Sequence, residues 1–348
     1  MGISVTGLSY ALPKGELTHE ELCKRFGRDE MNRLIQTTGI NNRRVCLENE
    51  CASDLAKKAA IKLIEENSID TNQIDFVIFS SQMPDYLMPT TACILQHELG
   101  IPTNAGAIDI NLGCSQYIYA HSNAYAYVKS GLARKVLVMT ADTPSRIVNP
   151  RDRSVVPLFG DAGTAAIIEN TENEGGYVDF DFGTDGEQYD ALIWPGSGMR
   201  KRGNKNLDIE KEDKYGSIRS ENDMYMDGQR IFLFTLKRVP ETLNSFLEKL
   251  NLQIDDIDYF IFHQASKFII DSITRKLKIP NNKFNRIYEN IGNSGGSTVG
   301  IALHDAIVNE KIKPGSKILL SAFGVGLSWS HALYKYPEST INSYSIEK

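Results

Sequence analysis

The chain contains a weak internal repeat, and this repeat limits the available folds more than any other feature of the sequence. Residues 74–79 (IDFVIF) are nearly matched by residues 257–262 (IDYFIF), at an offset of 183. Residues 135–138 (KVLV) are matched by residues 317–320 (KILL), at an offset of 182. Landmarks that keep their order and spacing are expected when two parts of a chain fold into similar units. We therefore predict two structurally related halves.

Each half alternates apolar runs of strand length with stretches of helical spacing. This alternation implies helical crossovers and a largely parallel sheet, which is an α/β fold. The strands that we expect lie near residues 3–12, 74–80, 105–111 and 135–140, then near 257–263, 287 and 317–321. The predicted organisation is a first half over 1–170, a second half over 171–336, a polar surface insertion at about 199–224 and a solvated tail over 337–348.

Composition excludes several classes of function. The formal net charge is -6, which argues against nucleic acid as the main partner. No apolar run approaches the roughly 20 residues of a membrane span. The five cysteines form no CxxC pair, so we expect neither a disulfide framework nor a metal site, and we expect a reducing cytoplasmic location.

Three polar residues lie at the ends of predicted strands or in the loops that directly follow those strands. Cys114 stands between a strand and a helix, where a helix N-terminus favours the nucleophilic thiolate. His263 ends a strand of the second half, and Asn293 is expected at the end of the next one. Functional groups gather at the carboxyl ends of parallel strands. The internal repeat therefore predicts that these three residues meet in one catalytic site.

This trio has a specific chemical meaning. A cysteine can hold an acyl group as a thioester, while a neutral histidine and an asparagine amide can donate hydrogen bonds to a second thioester carbonyl. Such donors stabilise the enolate that forms when a carboxylate is lost. The backbone N–H of Val325, beside that of Cys114, is the predicted oxyanion hole. The scheme requires no metal, nucleotide or flavin.

At these residues the chain resembles the thiolase-fold condensing enzymes, most closely the β-ketoacyl-acyl carrier protein synthase III family. The resemblance extends from the first strand to about Tyr334. Its motifs are Thr38-Gly39-Ile40, Gly113-Cys114-Ser115, Tyr127-Val128-Lys129-Ser130-Gly131, Asp152-Arg153, Phe159-Gly160-Asp161-Ala162-Gly163, His263-Gln264-Ala265, Gly292-Asn293-Ser294 and Phe323-Gly324-Val325-Gly326.

The resemblance implies a duplicated, five-layered α/β/α/β/α thiolase fold and a homodimer. It implies that a primer, carried by CoA or by acyl carrier protein, acylates the cysteine, and that malonyl-acyl carrier protein then condenses with it to give a β-ketoacyl-acyl carrier protein. CoA and carrier-protein thioesters are substrates here, and no cofactor is implied.

The resemblance also assigns residues around the trio. Arg153, Met88 and Phe323 fall at substrate-binding positions, with Met88 reaching the acyl pocket from across the dimer. The flexible Met88 side chain suits a primer larger than acetyl. Arg275 and Lys276 match basic positions that dock the carrier protein.

The chain departs from the family pattern at five positions. Arg33 and Thr37 stand where a CoA-clamping tryptophan and arginine are common, and Leu233 and Phe268 replace two basic positions. Ser266 replaces the asparagine that usually follows the His-Gln-Ala motif. These departures place conventional acetyl-CoA priming in question.

Other functions compete with condensation. A relative that transfers the acyl group from Cys114 to an alcohol or amine is the main alternative, and a non-enzymatic partner subunit is another. The sequence around Ser294 also fits the G-x-S-x-G elbow of α/β-hydrolases, with His331 as its histidine. Too few residues follow Ser294 to complete that fold.

Overall fold

The structure is a computed structural model, and it describes residues 2–172, 175–337 and 341–346. The strands within these residues are β1 (Gly2–Ala11), β2 (Gly15–Leu17), β3 (Arg43–Val45), β4 (Phe76–Ser80), β5 (Gly106–Ile110), β6 (Lys135–Asp142), β7 (Ala162–Thr171), β8 (Gly176–Thr184), β9 (Leu192–Ile193), β10 (Lys211–Glu212), β11 (Ile218–Arg219), β12 (Tyr225–Met226), β13 (Tyr259–Phe262), β14 (Lys317–Gly324), β15 (Ser328–Lys335) and β16 (Asn342–Ile346). The α-helices are α1 (His19–Phe26), α2 (Arg28–Thr38), α3 (Ala52–Glu66), α4 (Thr91–Glu98), α5 (Gln116–Ser130), α6 (Gly228–Lys249), α7 (Lys267–Lys276) and α8 (Ser297–Val308).

The two main sheets share a set of four strands with the same topology, which confirms the internal repeat. In the first sheet the order is β16-β1-β7-β6-β4-β5, and in the second it is β13-β14-β15-β8. The set β1, β7, β6 and β4 corresponds to β8, β15, β14 and β13, with antiparallel, antiparallel and parallel pairing in both sheets. The sequence matches at 74–79 and 135–138 therefore mark equivalent strands.

The helices divide the fold into five layers because each sheet is apolar on both faces. Helices α5 and α8 lie between the sheets, where Ile118 and Leu303 pack with Val138 of one sheet and Leu320 of the other. Helices α3 and α4 cover the outer face of the first sheet. Helices α6 and α7 cover the outer face of the second. This α/β/α/β/α arrangement is the architecture expected from the family resemblance.

Three local expectations are corrected by the structure. The sequence predicts one helical stretch over 20–35, but the structure breaks it at Gly27, whose φ of 97° an L side chain rarely adopts. The strand expected near 287 is reduced to a single parallel bridge between Phe260 and Phe284. Asn293 consequently lies in a loop before α8, and not at the end of a regular strand.

The predicted solvated tail is also partly wrong. β16 pairs in parallel with β1, and Ile341 before it is buried. The tail therefore extends the first sheet by one edge strand. Residues 338–340 and 347–348 lie outside the described part of the chain.

The polar segment 199–224 is attached to residues 149–152 by an ion pair and by hydrogen bonds. Arg219 contacts the fully buried Asp152 at 2.7 Å, and Asn149 donates to Glu210 at 2.8 Å. A backbone bond from Ile218 to Arg151 adds a third attachment. Among the described residues, no helix is long and apolar enough to cross a membrane.

Candidate active site

Cys114, His263 and Asn293 line one cavity, as the sequence analysis predicted. Its volume is about 430 Å³, and most of its other lining side chains are apolar. Cys114 comes from the loop between β5 and α5, His263 follows β13, and Asn293 precedes α8. Loops at the ends of equivalent elements in the two halves thus converge on a single pocket.

Cys114 is a neutral thiol in this environment. Burial raises the pKa of Cys114 to about 11, even though the backbone N–H groups of Val325 and of Cys114 itself favour the charged form. Burial of the thiol thus opposes the stabilisation of a thiolate that the start of α5 predicts, and it outweighs the two amides that favour the charged form. A reaction at Sγ needs a base to remove the thiol proton.

The Val325 amide is held beside Cys114 by a small hydrogen-bond network. Ser328 Oγ donates to the Val325 carbonyl at 2.8 Å and contacts Ser115 Oγ at 2.7 Å. Ser330 Oγ donates to the Ser115 carbonyl at 3.2 Å. Two N–H groups from separate parts of the chain consequently face Sγ, which is the geometry of an oxyanion hole.

Two glycines allow the backbone to approach this closely. A Cβ on Gly113 would lie 2.3 Å from Val325 Cγ1, and a Cβ on Gly324 would lie 2.6 Å from Cys114 Sγ. Any side chain at either position would displace the nucleophile or the amide that faces it.

His263 is buried and fixed at three points. Its backbone N–H donates to Ser321 at 2.9 Å, its Nδ1 lies 2.7 Å from Thr298 Oγ1, and its ring packs edge-on against Phe323 at 5.7 Å between centroids. Burial lowers the pKa of His263 to about 4. The ring is thus neutral near pH 7, and Nε2 is the nitrogen available to the cavity.

The orientation of the Asn293 amide follows from its backbone neighbours. Asn293 Oδ1 accepts a hydrogen bond from Gly295 N–H at 3.1 Å. Backbone bonds to Leu158 and from Gly160 hold the residue on either side. Because the oxygen is occupied, the Nδ2 group is the donor that Asn293 can offer to a ligand.

Sequence reasoning missed a buried carboxyl group behind the site. Asp142 ends β6 and accepts hydrogen bonds from Ser81 at 3.2 Å, Gln82 N–H at 3.1 Å and Gln116 at 2.5 Å. Burial raises the pKa of Asp142 to about 7. No motif marked Asp142, and its three partners come from two other segments of the chain, residues 81–82 and Gln116.

The predicted substrate-binding residues fall in three different places. Phe323 is buried and lines the cavity next to His263. Arg153 lies outside the cavity lining, where it pairs with Glu30 at 3.0 Å. Met88 is 86% exposed on a surface loop and does not reach the site within this chain.

The predicted docking residues lie on the same helix as the cavity mouth. Phe268, in the first turn of α7, lines the cavity and stacks on Phe232 at 4.7 Å between centroids. Arg275 is seven residues further along α7, on the same face and about 10 Å away. Arg275 and Lys276 are both exposed, and Lys276 Nζ donates to the Leu236 carbonyl at 2.8 Å.

The hydrolase alternative is excluded by geometry. The Ser294 hydroxyl is buried and has no hydrogen-bond partner among the described residues. His331 Nε2 instead contacts Thr242 Oγ1 at 2.9 Å. The two residues do not form a nucleophile and base pair.

The duplicated five-layered architecture, with a cysteine of one half facing a histidine and an asparagine of the other, defines a thiolase-fold condensing enzyme. Family models for 3-oxoacyl-[acyl-carrier-protein] synthase III match residues 108–186, and those for its C-terminal part match residues 247–336. The chain is 34% identical to a β-ketoacyl-[acyl-carrier-protein] synthase III of Fusobacterium nucleatum, over 96% of this chain and 98% of the relative. It is 35% identical to the Clostridium perfringens protein of the same name, over 94% and 98%. The chain therefore belongs to the β-ketoacyl-acyl carrier protein synthase III family.

Solved structures agree with this assignment. A crystal structure of a 3-oxoacyl-(acyl-carrier-protein) synthase III has a TM-score of 0.93 at 38% identity, covering 96% of this chain and 99% of that one. A 3-oxoacyl-(acyl-carrier protein) synthase from Burkholderia xenovorans has a TM-score of 0.89 at 29% identity, covering 99% and 97%. The predicted fold and family are confirmed.

Proposed function

We propose that this protein condenses an acyl primer with malonyl-acyl carrier protein to give a β-ketoacyl-acyl carrier protein. One observation carries the proposal. A single cavity joins a thiol that faces two backbone N–H groups to two polar side chains, His263 and Asn293, that can serve a second thioester. A simple acyl transfer from Cys114 to an alcohol or amine does not require His263 and Asn293 to bind a second thioester.

The first half-reaction transfers the acyl group to Cys114. The thiol gives up its proton, Sγ attacks the primer's thioester carbonyl, and the resulting oxyanion is stabilised by the N–H groups of Cys114 and Val325. Collapse of this intermediate breaks the bond to the carrier sulfur. The products are acyl-Cys114 and the free carrier thiol.

The second half-reaction uses the opposite wall of the cavity. The malonyl thioester oxygen accepts hydrogen bonds from Asn293 Nδ2 and from the His263 ring, which stabilises the enolate as the C–CO2 bond breaks. The enolate carbon attacks acyl-Cys114, a C–C bond forms, and the Cys114 thiolate leaves. A proton then returns to Sγ, and the β-ketoacyl-acyl carrier protein departs.

The proposed partners are the thioesters and a second copy of the chain. The exposed cations Arg275 and Lys276 near the cavity mouth suit an acidic carrier protein, for which complementary charge mainly raises the association rate. The adjacent side chains Tyr86, Leu87 and Met88 are all exposed, and such an apolar patch favours burial in an interface. A homodimer would bring Met88 of one copy to the acyl pocket of the other.

Two further expectations remain part of this proposal. The chemistry of Cys114, His263 and Asn293 is complete with thioester substrates, so we propose that no resident cofactor takes part. Five unpaired cysteines suit a reducing cytoplasm.

Intact-protein mass spectrometry tests the proposed function. We expect a panel of acyl-CoA and acyl-carrier-protein thioesters to leave one acyl mass on the protein and none on Cys114→Ala. Addition of malonyl-acyl carrier protein should remove that mass and release a β-ketoacyl product. Discharge only by an alcohol or amine would favour the non-condensing alternative, and the absence of any adduct would contradict both.

A further inference from the structure

The Thr298 hydroxyl stands at the centre of a fully buried hydrogen-bond network on His263. Thr298 Oγ1 lies 2.7 Å from His263 Nδ1 and 2.9 Å from the Gly295 carbonyl, to which it can donate. The backbone N–H of Gln264 donates to the same oxygen at 3.1 Å. Thr298 is the second residue of α8, while His263 follows β13, so the network joins two separate elements.

Counting protons shows which ring nitrogen of His263 carries hydrogen. A hydroxyl offers one proton and two lone pairs. The Gln264 N–H can only donate, so it occupies one lone pair of Thr298. If Nδ1 is protonated, it donates to the other lone pair, and the Thr298 proton goes to the Gly295 carbonyl. All three bonds then exist together.

The opposite tautomer loses one of these bonds. If Nδ1 were bare, the single Thr298 proton would turn to it, and the hydroxyl would no longer donate to the Gly295 carbonyl. The Gly295 carbonyl would keep only the longer hydrogen bond from the Thr298 backbone N–H at 3.3 Å, and the loss of one hydrogen bond in a buried network costs free energy. The network therefore favours hydrogen on Nδ1 and a bare Nε2 facing the cavity.

We propose that Thr298 is a positioning residue that keeps the proton of His263 on Nδ1, so that Nε2 can take the proton of the Cys114 thiol. This inference rests on the proposed function and deepens it. Cys114 is a neutral thiol, and Nε2 is the basic nitrogen available in the same cavity.

The proton balance closes over both half-reactions. The Sγ–H bond breaks, the proton moves to Nε2, the Sγ–acyl bond forms, and the carrier leaves as a thiolate that solvent protonates. His263 is then an imidazolium, which burial disfavours and which the hydrogen bond from Nδ1 to Thr298 Oγ1 supports. Its Nε2–H donates to the malonyl thioester oxygen. After decarboxylation and C–C bond formation, the departing Cys114 thiolate takes the Nε2 proton back. In this scheme His263 donates to the malonyl thioester as an imidazolium, whereas the sequence analysis expected a neutral histidine to donate.

Nitrogen NMR of the wild-type protein tests the tautomer without any substrate. With ¹⁵N-labelled histidine, and a His263→Gln variant to assign the signals, resting His263 should show a protonated Nδ1 and a bare Nε2. A protonated Nε2 in the resting protein would overturn the proposal. Because no acyl transfer is measured, this result is independent of whether the proposed condensation occurs.

Substitutions at Thr298 supply the kinetic test. In single-turnover acylation of Cys114, Thr298→Val should be slower by about tenfold, because an imidazolium loses a hydrogen-bond acceptor at Nδ1. Thr298→Ser should recover most of that loss and restore the wild-type nitrogen spectrum. Thr274→Val removes a similarly buried hydroxyl, which donates to the Ile270 carbonyl at 2.9 Å on α7, and it should leave acylation unchanged. Equal acylation rates for the Val and Ser variants at Thr298 would overturn the proposal.

Discussion

Replacing Gly324 with alanine is a direct test of the geometry around the nucleophile. Gly324 is the last residue of β14, and its φ of 154° is one that L side chains rarely adopt. The added Cβ would lie 2.6 Å from both Sγ and Cβ of Cys114. Non-bonded atoms of this size normally sit at about 3.5 Å or more, so the two groups must separate by roughly 1 Å.

A shift of this size has a calculable effect on catalysis. A misplacement of about 1 Å in a reacting group costs roughly 100-fold in rate, since acyl transfer depends on near-attack alignment. Overpacking in a closed site also costs about 1–3 kcal/mol of unfolding free energy. We therefore expect Gly324→Ala to fold, to melt at a somewhat lower temperature and to acylate Cys114 about 100-fold more slowly.

The assay is the rate of acyl-mass appearance after rapid mixing with a saturating acyl thioester. Gly100→Ala is a matched control, because Gly100 also has a positive φ (65°) but its added Cβ would meet nothing within 4 Å. That control carries backbone strain without contact, and it should acylate at the wild-type rate. A folded Gly324→Ala protein that acylates within about threefold of wild type would refute the claim that this glycine makes room for Sγ.

Four further predictions concern charge, protonation and the second half-reaction. Reversing Arg275 and Lys276 to glutamate should raise the KM for malonyl-acyl carrier protein while leaving acylation of Cys114 by an acyl-CoA intact; an unchanged KM would contradict the docking model. Asn293→Ala should lower the rate of malonyl decarboxylation by about 100-fold or more and still form the acyl-enzyme, and parallel loss of both steps would contradict its assignment to the second one. Because the pKa of Cys114 is raised to about 11, its alkylation by iodoacetamide should quicken by about tenfold per pH unit between pH 7 and 9, and a plateau there would indicate a thiolate instead. Burial raises the pKa of Asp142 to about 7 from 3.8, so the folded protein binds the carboxyl proton more tightly than the unfolded chain does. The stability that this proton contributes is lost as pH rises from about 4 through 7, and wild type should lose up to about 4 kcal/mol of unfolding free energy relative to Asp142→Asn in denaturant titrations. Unfolding free energies of the two proteins that run parallel across this pH range would contradict the shift.

The grouping of Cys114, His263 and Asn293 in one cavity could be predicted from the sequence because each residue follows a recognisable strand or loop. The offset of 182 aligns residues 111–115 with residues 293–297, so Cys114 and Asn293 fall in equivalent loops, while His263 follows a predicted strand. The structure confirms that the three share a cavity. Local periodicity and repetition were sufficient, since a duplicated fold brings equivalent loops to one place.

Other features of the site were not visible in the chain. Thr298 and Asp142 are ordinary residues in their own segments, and they act only through partners that are distant in sequence. Met88 was placed at the acyl pocket by resemblance, but the single chain leaves it on the surface. Its role remains a prediction that depends on a second copy.

The protonation of Cys114 shows where sequence reasoning reaches its limit. A helix start beside a cysteine predicts a thiolate, and two backbone N–H groups, of Val325 and of Cys114 itself, also lower the pKa of the Cys114 thiol. Burial is a property of the whole fold, and its desolvation cost exceeds both contributions.

The amino-acid sequence by itself determined the duplication, the α/β class, the family and the three polar side chains that share the cavity, because these depend on short-range pattern and order. Only the tertiary structure decided the burial of the Cys114 thiol and the hydrogen-bond partners of His263. Both depend on how completely water is excluded and on which hydrogen-bond partners the folded chain places around each group, and neither quantity is local in sequence.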